Sequence, residues 1–381
     1  MRRTRIMLVT LVLALVVSTA AYAGNGGASA HAAGDRSGLA PGVAIGYKAV
    51  KTGLDDPAGF TFSPSGNIWF LERGTGRVRI LNPATGSVKT VYRIRRVDGS
   101  GERGALGIAL HPQWPAKPFV YVYVTRRATT IRPIQNELIR LSVSDGHVDK
   151  LKILFHSPLS KATNHNGGRI LFGQHRRLFI VIGENANPLN AQDLSSNLRG
   201  KILRVNTNGK PVASNPFGNR VFAYGIRNSF GFAFDPSTHR LWETENGPEC
   251  NDELNLIVRG GNFAWGSNES CGSSTPPTDT NNSGPDPQLL PKAFFGTTLG
   301  ITGAAFCHGC RLGSASRGKL FFGDVNDGVL RRVGLNSARD DLGTPVSILD
   351  EPGGAIYSME VSPQGRIYFS NPGGIYQLVR A

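Results

Sequence analysis

Short apolar runs, not long amphipathic stretches, set the pattern along this chain. "IWFLE", "VRILN", "FVYVYVT", "LFIVIGE", "KILRVN", "KLFFGD" and "RIYFS" are rich in β-branched and aromatic residues and end at Gly, Pro, Asn or Asp, which predicts strands. Helical periodicity is nearly absent. One unit recurs, a small apolar strand, a Pro/Gly turn and a second apolar strand: "GFTFSPSGNIWFLE" from Gly59, then similar units from Gly107, Gly168, Gly231, Gly303 and Ser358. Six such hairpins predict an all-β fold, a six-bladed β-propeller. Spacings of about 45 to 70 residues exceed a minimal four-stranded blade and place long loops on one face. A pair of packed β-sheets is the alternative, but it has no need of the same hairpin six times.

The two ends of the chain carry different patterns. Arg2, Arg3 and Arg5 precede an apolar run from Ile6 to Val17, interrupted only by Thr10 and followed by Ala21-Tyr22-Ala23. This predicts a secretory signal peptide over residues 1–23. The run is too short to span a bilayer comfortably, and no cysteine follows the cleavage site to accept a lipid. Residues 24–40, rich in Gly, Ala and Ser, read as a flexible leader. The propeller is then a single domain over residues 41–381, and the protein is expected to be secreted or extracytoplasmic, with no membrane span.

Charge and cysteines narrow the class. The formal net charge of +15 falls to +12 without the three signal-peptide arginines. Because the remaining positive charge is dispersed, nucleic acid is a weak expectation as a partner; an anionic cell-surface polymer, an anionic cofactor or plain solubility charge fits better. Cys250, Cys271, Cys307 and Cys310 are bound for an oxidising compartment. Of three possible pairings, Cys250–Cys271 with Cys307–Cys310 has the shortest loops; a four-thiolate zinc site is the competing reading. Cys307-His308-Gly309-Cys310 places its His inside the pair, so it is no haem-attachment motif.

In a propeller the loops at the channel mouth carry chemistry. His165 in "TNHNGGRILFG" precedes a strand, where an imidazole is placed for general-base work, although a lone loop histidine is more often merely exposed. Arg227 and Asn228 in "AYGIRNSFGFAFDP" lie between strand-like segments, where Arg stabilises developing negative charge and Asn orients a carbonyl or hydroxyl; bonding of loop carbonyls is the plainer alternative. Glu102 and Arg103 sit among glycines that allow close approach of a ligand, or simply a tight turn. "ENGPECNDELN", residues 245–255, combines backbone oxygens at Gly247-Pro248 with Glu249, Asn251, Asp252 and Glu253, an oxygen-rich set of the kind Ca2+ prefers. An acidic turn tied by Cys250 explains the same residues without a metal.

Taken together, "NHNGGRILFG", "IGENANPLNAQDLSSNLRGKILRV", "YGIRNSFGFAFDP" and "ENGPECNDELNLI" with "GGNFAWG" resemble, in order and spacing, the soluble PQQ-dependent glucose/sorbosone dehydrogenase family. The aldose sugar dehydrogenases are the nearest look-alikes, and the resemblance spans roughly residues 45–380. It implies a six-bladed propeller with pyrroloquinoline quinone (PQQ) over the channel, contacted by Ca2+. His165 would take the proton from the anomeric hydroxyl of an aldose as hydride passes to the quinone. Arg227 and Asn228 would contact the quinone oxygens, the carbonyls of Gly247 and Pro248 would hold Ca2+, and Glu102 would reach the site. The product would be a lactone, with electrons leaving to an external acceptor.

The resemblance fails where the family grips the cofactor's carboxylates with a lysine and an Arg-x-Arg. Asn326 stands at the lysine position, and Ala355 and Tyr357 stand where the arginines would be. Each lost charge-assisted contact removes about 1.5–3 kcal/mol, which leaves Arg331, Arg332 or the general positive field to compensate. An aromatic cover would be Phe295. The leading expectation is a PQQ- and Ca2+-dependent aldose dehydrogenase. The alternatives are a non-redox ligand-binding propeller that has lost the PQQ carboxylate contacts, and a Ca2+-dependent lactonase.

Overall fold

A computed structural model describes residues 45–159, 162–195, 197–266, 288–350 and 354–381. The expected signal peptide and leader, and Cys271, lie outside the described residues. Six four-stranded antiparallel sheets follow one another along the chain, giving the six-bladed propeller. In each blade the two strands nearest the centre are one of the six hairpins. In blade 1, for example, Pro57–Phe62 pairs with Ile68–Glu72, followed outward by Arg77–Leu81 and Val88–Arg93. Two packed sheets are thereby excluded.

The glycines that head the repeats have a steric cause. A Cβ on Gly107 would stand 2.0 Å from the carbonyl oxygen of Gly168, and one on Gly231 would stand 2.1 Å from that of Thr302. Backbones of neighbouring inner strands meet around the channel too closely for any side chain.

Blade 6 is closed by both ends of the described chain. Its strands Ser358–Val361, Ile367–Asn371 and Gly374–Arg380 are completed by Ile45–Thr52, with Ile45 opposite Arg380 and Thr52 opposite Gly374. The pairing covers what would otherwise be an open strand edge. Between blades the cores are continuous: Trp69 and Leu71 of blade 1 pack with Ile108, Val122 and Ile139 of blade 2, and Phe60, Ile68 and Phe70 pack with Tyr368 and Ile375 of blade 6.

Cys307 and Cys310 form a disulfide inside the core of blades 5 and 6, which removes two thiolates from the zinc reading. Cys250 is also disulfide-bonded. No helix among the described residues is long and apolar enough to cross a membrane.

Candidate active site

The segments leading into the inner strands, and the turns between second and third strands, meet on one face of the ring. His165 comes from the segment before the inner strand of blade 3, in the left-handed region at φ 55°, a conformation that a non-glycine residue keeps only when its surroundings enforce it. Here they do. Its N–H donates to Glu102 Oε2 at 2.6 Å, its carbonyl accepts from the Asn185 N–H at 3.1 Å, and its Nδ1 lies 2.6 Å from Glu184 Oε1. A carboxylate only accepts, so Nδ1 bears the ring proton and Nε2 keeps its lone pair.

Glu102 and Asn228 complete a triangle around that imidazole. Glu102 Oε2 also accepts from Asn228 Nδ2 at 3.0 Å, and Asn228 Oδ1 accepts from the Gly167 N–H at 3.2 Å. Asn228 is thus a bracket between blades 2, 3 and 4, made through a carboxylate and a backbone N–H. Arg227 joins the same knot: its carbonyl accepts the Glu184 N–H at 2.8 Å, its Nη1 donates to the Asn246 carbonyl at 2.9 Å, and its guanidinium lies 5.1 Å from the centroid of the Trp265 ring. The Arg227 N–H donates to Glu245.

The 245–255 stretch is the turn between the second and third strands of blade 4, and most of its acids point inward. Asp252 accepts N–H groups from Gly247 at 2.8 Å, Leu299 at 2.8 Å and Gly300 at 2.7 Å. Burial raises its pKa, opposed by those N–H bonds. Glu253 joins Glu243 and Glu245 around Asn255, whose amide donates to all three at 3.2–3.4 Å. Burial pushes Glu243 and Glu253 up to about 8, and burial with two neighbouring carboxylates raises Glu245 well above its ordinary value. Only Glu249 is exposed. Among the described residues nothing donates to the carbonyl oxygens of Gly247 and Pro248, and no cluster of three or more His, Cys, Asp or Glu is arranged to hold a metal. A hard cation here would therefore depend on main-chain oxygen.

The remaining sequence candidates sit elsewhere on the mouth. Asn326 is exposed and donates to the Thr298 carbonyl at 3.2 Å. Tyr357 is half-buried beside Asp56; burial first, then the Asp56 charge, pushes its hydroxyl up to about 12. Asp56 is itself paired with Arg73 at 2.6 Å. The two arginines near Asn326 have partners within blade 5: Arg331 is paired with Asp324, and Arg332 donates to Ser316 Oγ at 3.1 Å. Phe295 packs against Phe322, with ring centroids 5.8 Å apart.

Two site residues escaped sequence reasoning. Glu184 lay inside a quoted motif without a role; the signal was an acid at or just after the end of a second strand that binds a nearby turn, as Glu72, Glu245 and Asp324 also do. Arg169, deeper in the channel, donates to Ser358 Oγ at 2.6 Å and lies 3.6 Å from Glu360 Oε1, linking blade 3 to blade 6. Burial, opposed by Arg169, raises Glu360 to about 7.

Comparison with known proteins places the chain in a family. Over 250 residues the chain is 31% identical to quinoprotein glucose dehydrogenase B of Acinetobacter calcoaceticus, covering 57% of this chain and 52% of that protein, so it spans about half of that relative's length. It is 27% identical over 341 residues to aldose sugar dehydrogenase YliI of Escherichia coli K12, covering 85% of this chain and 89% of the relative. A solved PQQ-bound form of aldose sugar dehydrogenase from Streptomyces coelicolor superposes with a TM-score of 0.73 at 25% identity, over 89% of this chain and 99% of that one. The glucose/sorbosone dehydrogenase family model matches residues 54–380, and the chain belongs to that family.

Proposed function

We propose that the protein is an exported PQQ-dependent oxidoreductase that oxidises the anomeric hydroxyl of an aldose to a lactone and passes the electrons to an external acceptor. The observation that carries this reading is the convergence of His165, Glu102, Asn228, Arg227 and the Gly247-Pro248 turn, drawn from separate blades, on one mouth. Export is supported by the basic and apolar start of the sequence and by the Cys307–Cys310 disulfide.

Two buried atoms beside Arg227 support a polar guest. Among the described residues Asn246 Oδ1 and Trp265 Nε1 have no hydrogen-bond partner, and both residues line a small recess with Arg227 and Gly247. A buried acceptor and a buried donor left unmade are costly unless a ligand or water satisfies them. Arg227 and Asn228 would hold the quinone end of PQQ, and the carbonyls of Gly247 and Pro248 would hold Ca2+ through oxygen. When bound, the quinone supplies the two-electron acceptor for the hydride leaving the sugar's anomeric carbon.

The chain's own part is acid–base chemistry and positioning. His165 Nε2 takes the hydroxyl proton as the anomeric C–H bond breaks and the C=O bond forms. Glu184 holds the ring and offsets the imidazolium charge that results, while Glu102 fixes the backbone beneath it. Arg227 offers positive charge at the mouth.

The carboxylate end fits less well. Asn326 is neutral, the Ala355 side chain has no donor, and Tyr357 faces the carboxylate of Asp56. A second reading, a propeller that binds a ligand without redox chemistry, rests on these three positions alone. Calorimetric titration with PQQ in Ca2+, followed by dye reduction over a panel of aldoses, separates the two. Submicromolar binding with turnover supports the dehydrogenase; inactivity on every aldose with no change in quinone absorbance rejects it.

A further inference from the structure

On the opposite face, the turns after the inner strands of blades 2 and 3 and the turn after Lys201–Val205 border an open cleft of about 560 Å3. Lys117, Arg140, Arg176 and Arg177 line it with the imidazoles of His111 and His175, and no carboxylate does. Charge that serves only solubility is interspersed with acids; here four cations gather around one concavity and none of its walls neutralises them.

The walls are built to hold their donors. The Arg140 guanidinium lies 4.4 Å from the centroid of the Phe119 ring and donates to the Thr207 carbonyl at 3.2 Å and to Asn208 Oδ1 at 2.8 Å. Arg176 Nη1 donates to Gln113 Oε1 at 2.9 Å. His111 Nδ1 accepts the Gln113 N–H at 3.1 Å, so Nε2 carries the ring proton as a further donor. Burial, with the fields of Arg176, Lys117 and Arg140, holds that imidazole below its usual range. His175 and Arg176 turn the chain through consecutive left-handed conformations at φ 55° and 56°, which non-glycine residues adopt at a cost and which cluster at ligand sites.

We propose that this cleft is a binding site for a phosphate-bearing ligand, separate from the sugar chemistry on the other face. A carboxylate offers two oxygens and one charge. A phosphate offers three or more oxygens and up to two charges, enough to engage guanidinium forks and an ammonium arriving from different turns. The volume is of the size that holds a small organic molecule around that group. The phosphate can belong to a free small molecule or to a lipid headgroup, and the experiment distinguishes them.

The side chains of Lys117 and Arg177 make no hydrogen bonds among the described residues, so the double variant Lys117→Gln/Arg177→Gln leaves the fold's own contacts in place. Lys48→Gln/Arg380→Gln, on the outer strands of blade 6, removes the same charge far from the cleft. Calorimetric titration of the full protein with inorganic pyrophosphate at moderate salt is expected to give saturable one-site binding. The cleft variant should weaken it by about tenfold or more, and the control should leave it unchanged. Absence of saturable binding, or equal weakening in both variants, overturns the proposal. Co-sedimentation with phosphatidylglycerol vesicles that pyrophosphate blocks assigns the site to headgroups; pyrophosphate binding without co-sedimentation assigns it to a free phosphorylated molecule.

Discussion

Nδ1 of His165 stands 2.6 Å from Oε1 of Glu184, and the other oxygen of that carboxylate accepts the Asn187 N–H at 2.9 Å. The acid is held on both sides, so it fixes the ring's orientation and its tautomer together. Glu184→Gln keeps the shape but allows the amide to donate to Nδ1, which moves the proton to Nε2 and removes the base. In the PQQ- and Ca2+-loaded protein, kcat for aldose oxidation is expected to fall about 10²–10⁴-fold, with KM changed far less. Steady-state dye reduction measures this; an unchanged kcat contradicts the assigned tautomer.

Glu102 uses a single oxygen to accept from both the His165 N–H and Asn228 Nδ2. A glutamine at this position keeps that oxygen, whereas alanine leaves both donors unmade. Glu102→Ala should lose about 2 kcal/mol of stability and most activity, while Glu102→Gln stays near wild type in both. Denaturant melts alongside turnover check the pair, and equal behaviour of the two variants would contradict the bridging role.

Lys201 is buried, and its ammonium donates to the carbonyls of Asn190 at 2.6 Å, Ala191 at 2.9 Å and Arg199 at 2.8 Å. Asn190 in turn donates to the Glu184 carbonyl at 2.8 Å, so this lysine braces the loop behind the His165 partner. Lys201→Met is expected to cost about 3 kcal/mol or more, because three inward carbonyls lose their donor. Chemical denaturation reads this out as a lower midpoint.

Glu360 makes stability depend on pH with a definite sign. Its pKa rises from an ordinary 4.5 to about 7 on folding, so between these values the native state holds a proton that the unfolded chain has lost. The contribution is fully present below about pH 4.5 and is lost as pH rises through 7. Wild type should therefore lose stability relative to Glu360→Gln between pH 5 and pH 8. Thermal melts of both across that range test it, and a constant difference would contradict the shift.

The ring was legible in the sequence because its cause is local. Each inner hairpin needs two short apolar strands, a tight turn and, in most repeats, a glycine where neighbouring backbones meet, as at Gly107 and Gly231. His165, Arg227 and Asn228 stood out because they are polar residues in the segments that lead into inner strands, which meet on one face of the ring. What the sequence concealed depends on blades far apart in the chain. The closure of blade 6 by Ile45–Thr52 joins the two ends of the described residues. The direction of Asp252, toward the segment entering blade 5, is set by the N–H groups of Leu299 and Gly300, and that of Glu253, into blade 4, by Asn255. Likewise, Tyr357 meets Asp56 only because blades 6 and 1 are neighbours.

The most direct trial of His165 as the base is the first turnover. Protein loaded with PQQ and Ca2+ is mixed rapidly with an aldose, and quinone reduction is followed by absorbance in wild type and in His165→Ala. The account predicts reduction in the wild type and a rate lower by about 10²–10⁴-fold in the variant, with PQQ still bound in both. Equal rates in the two proteins would contradict it.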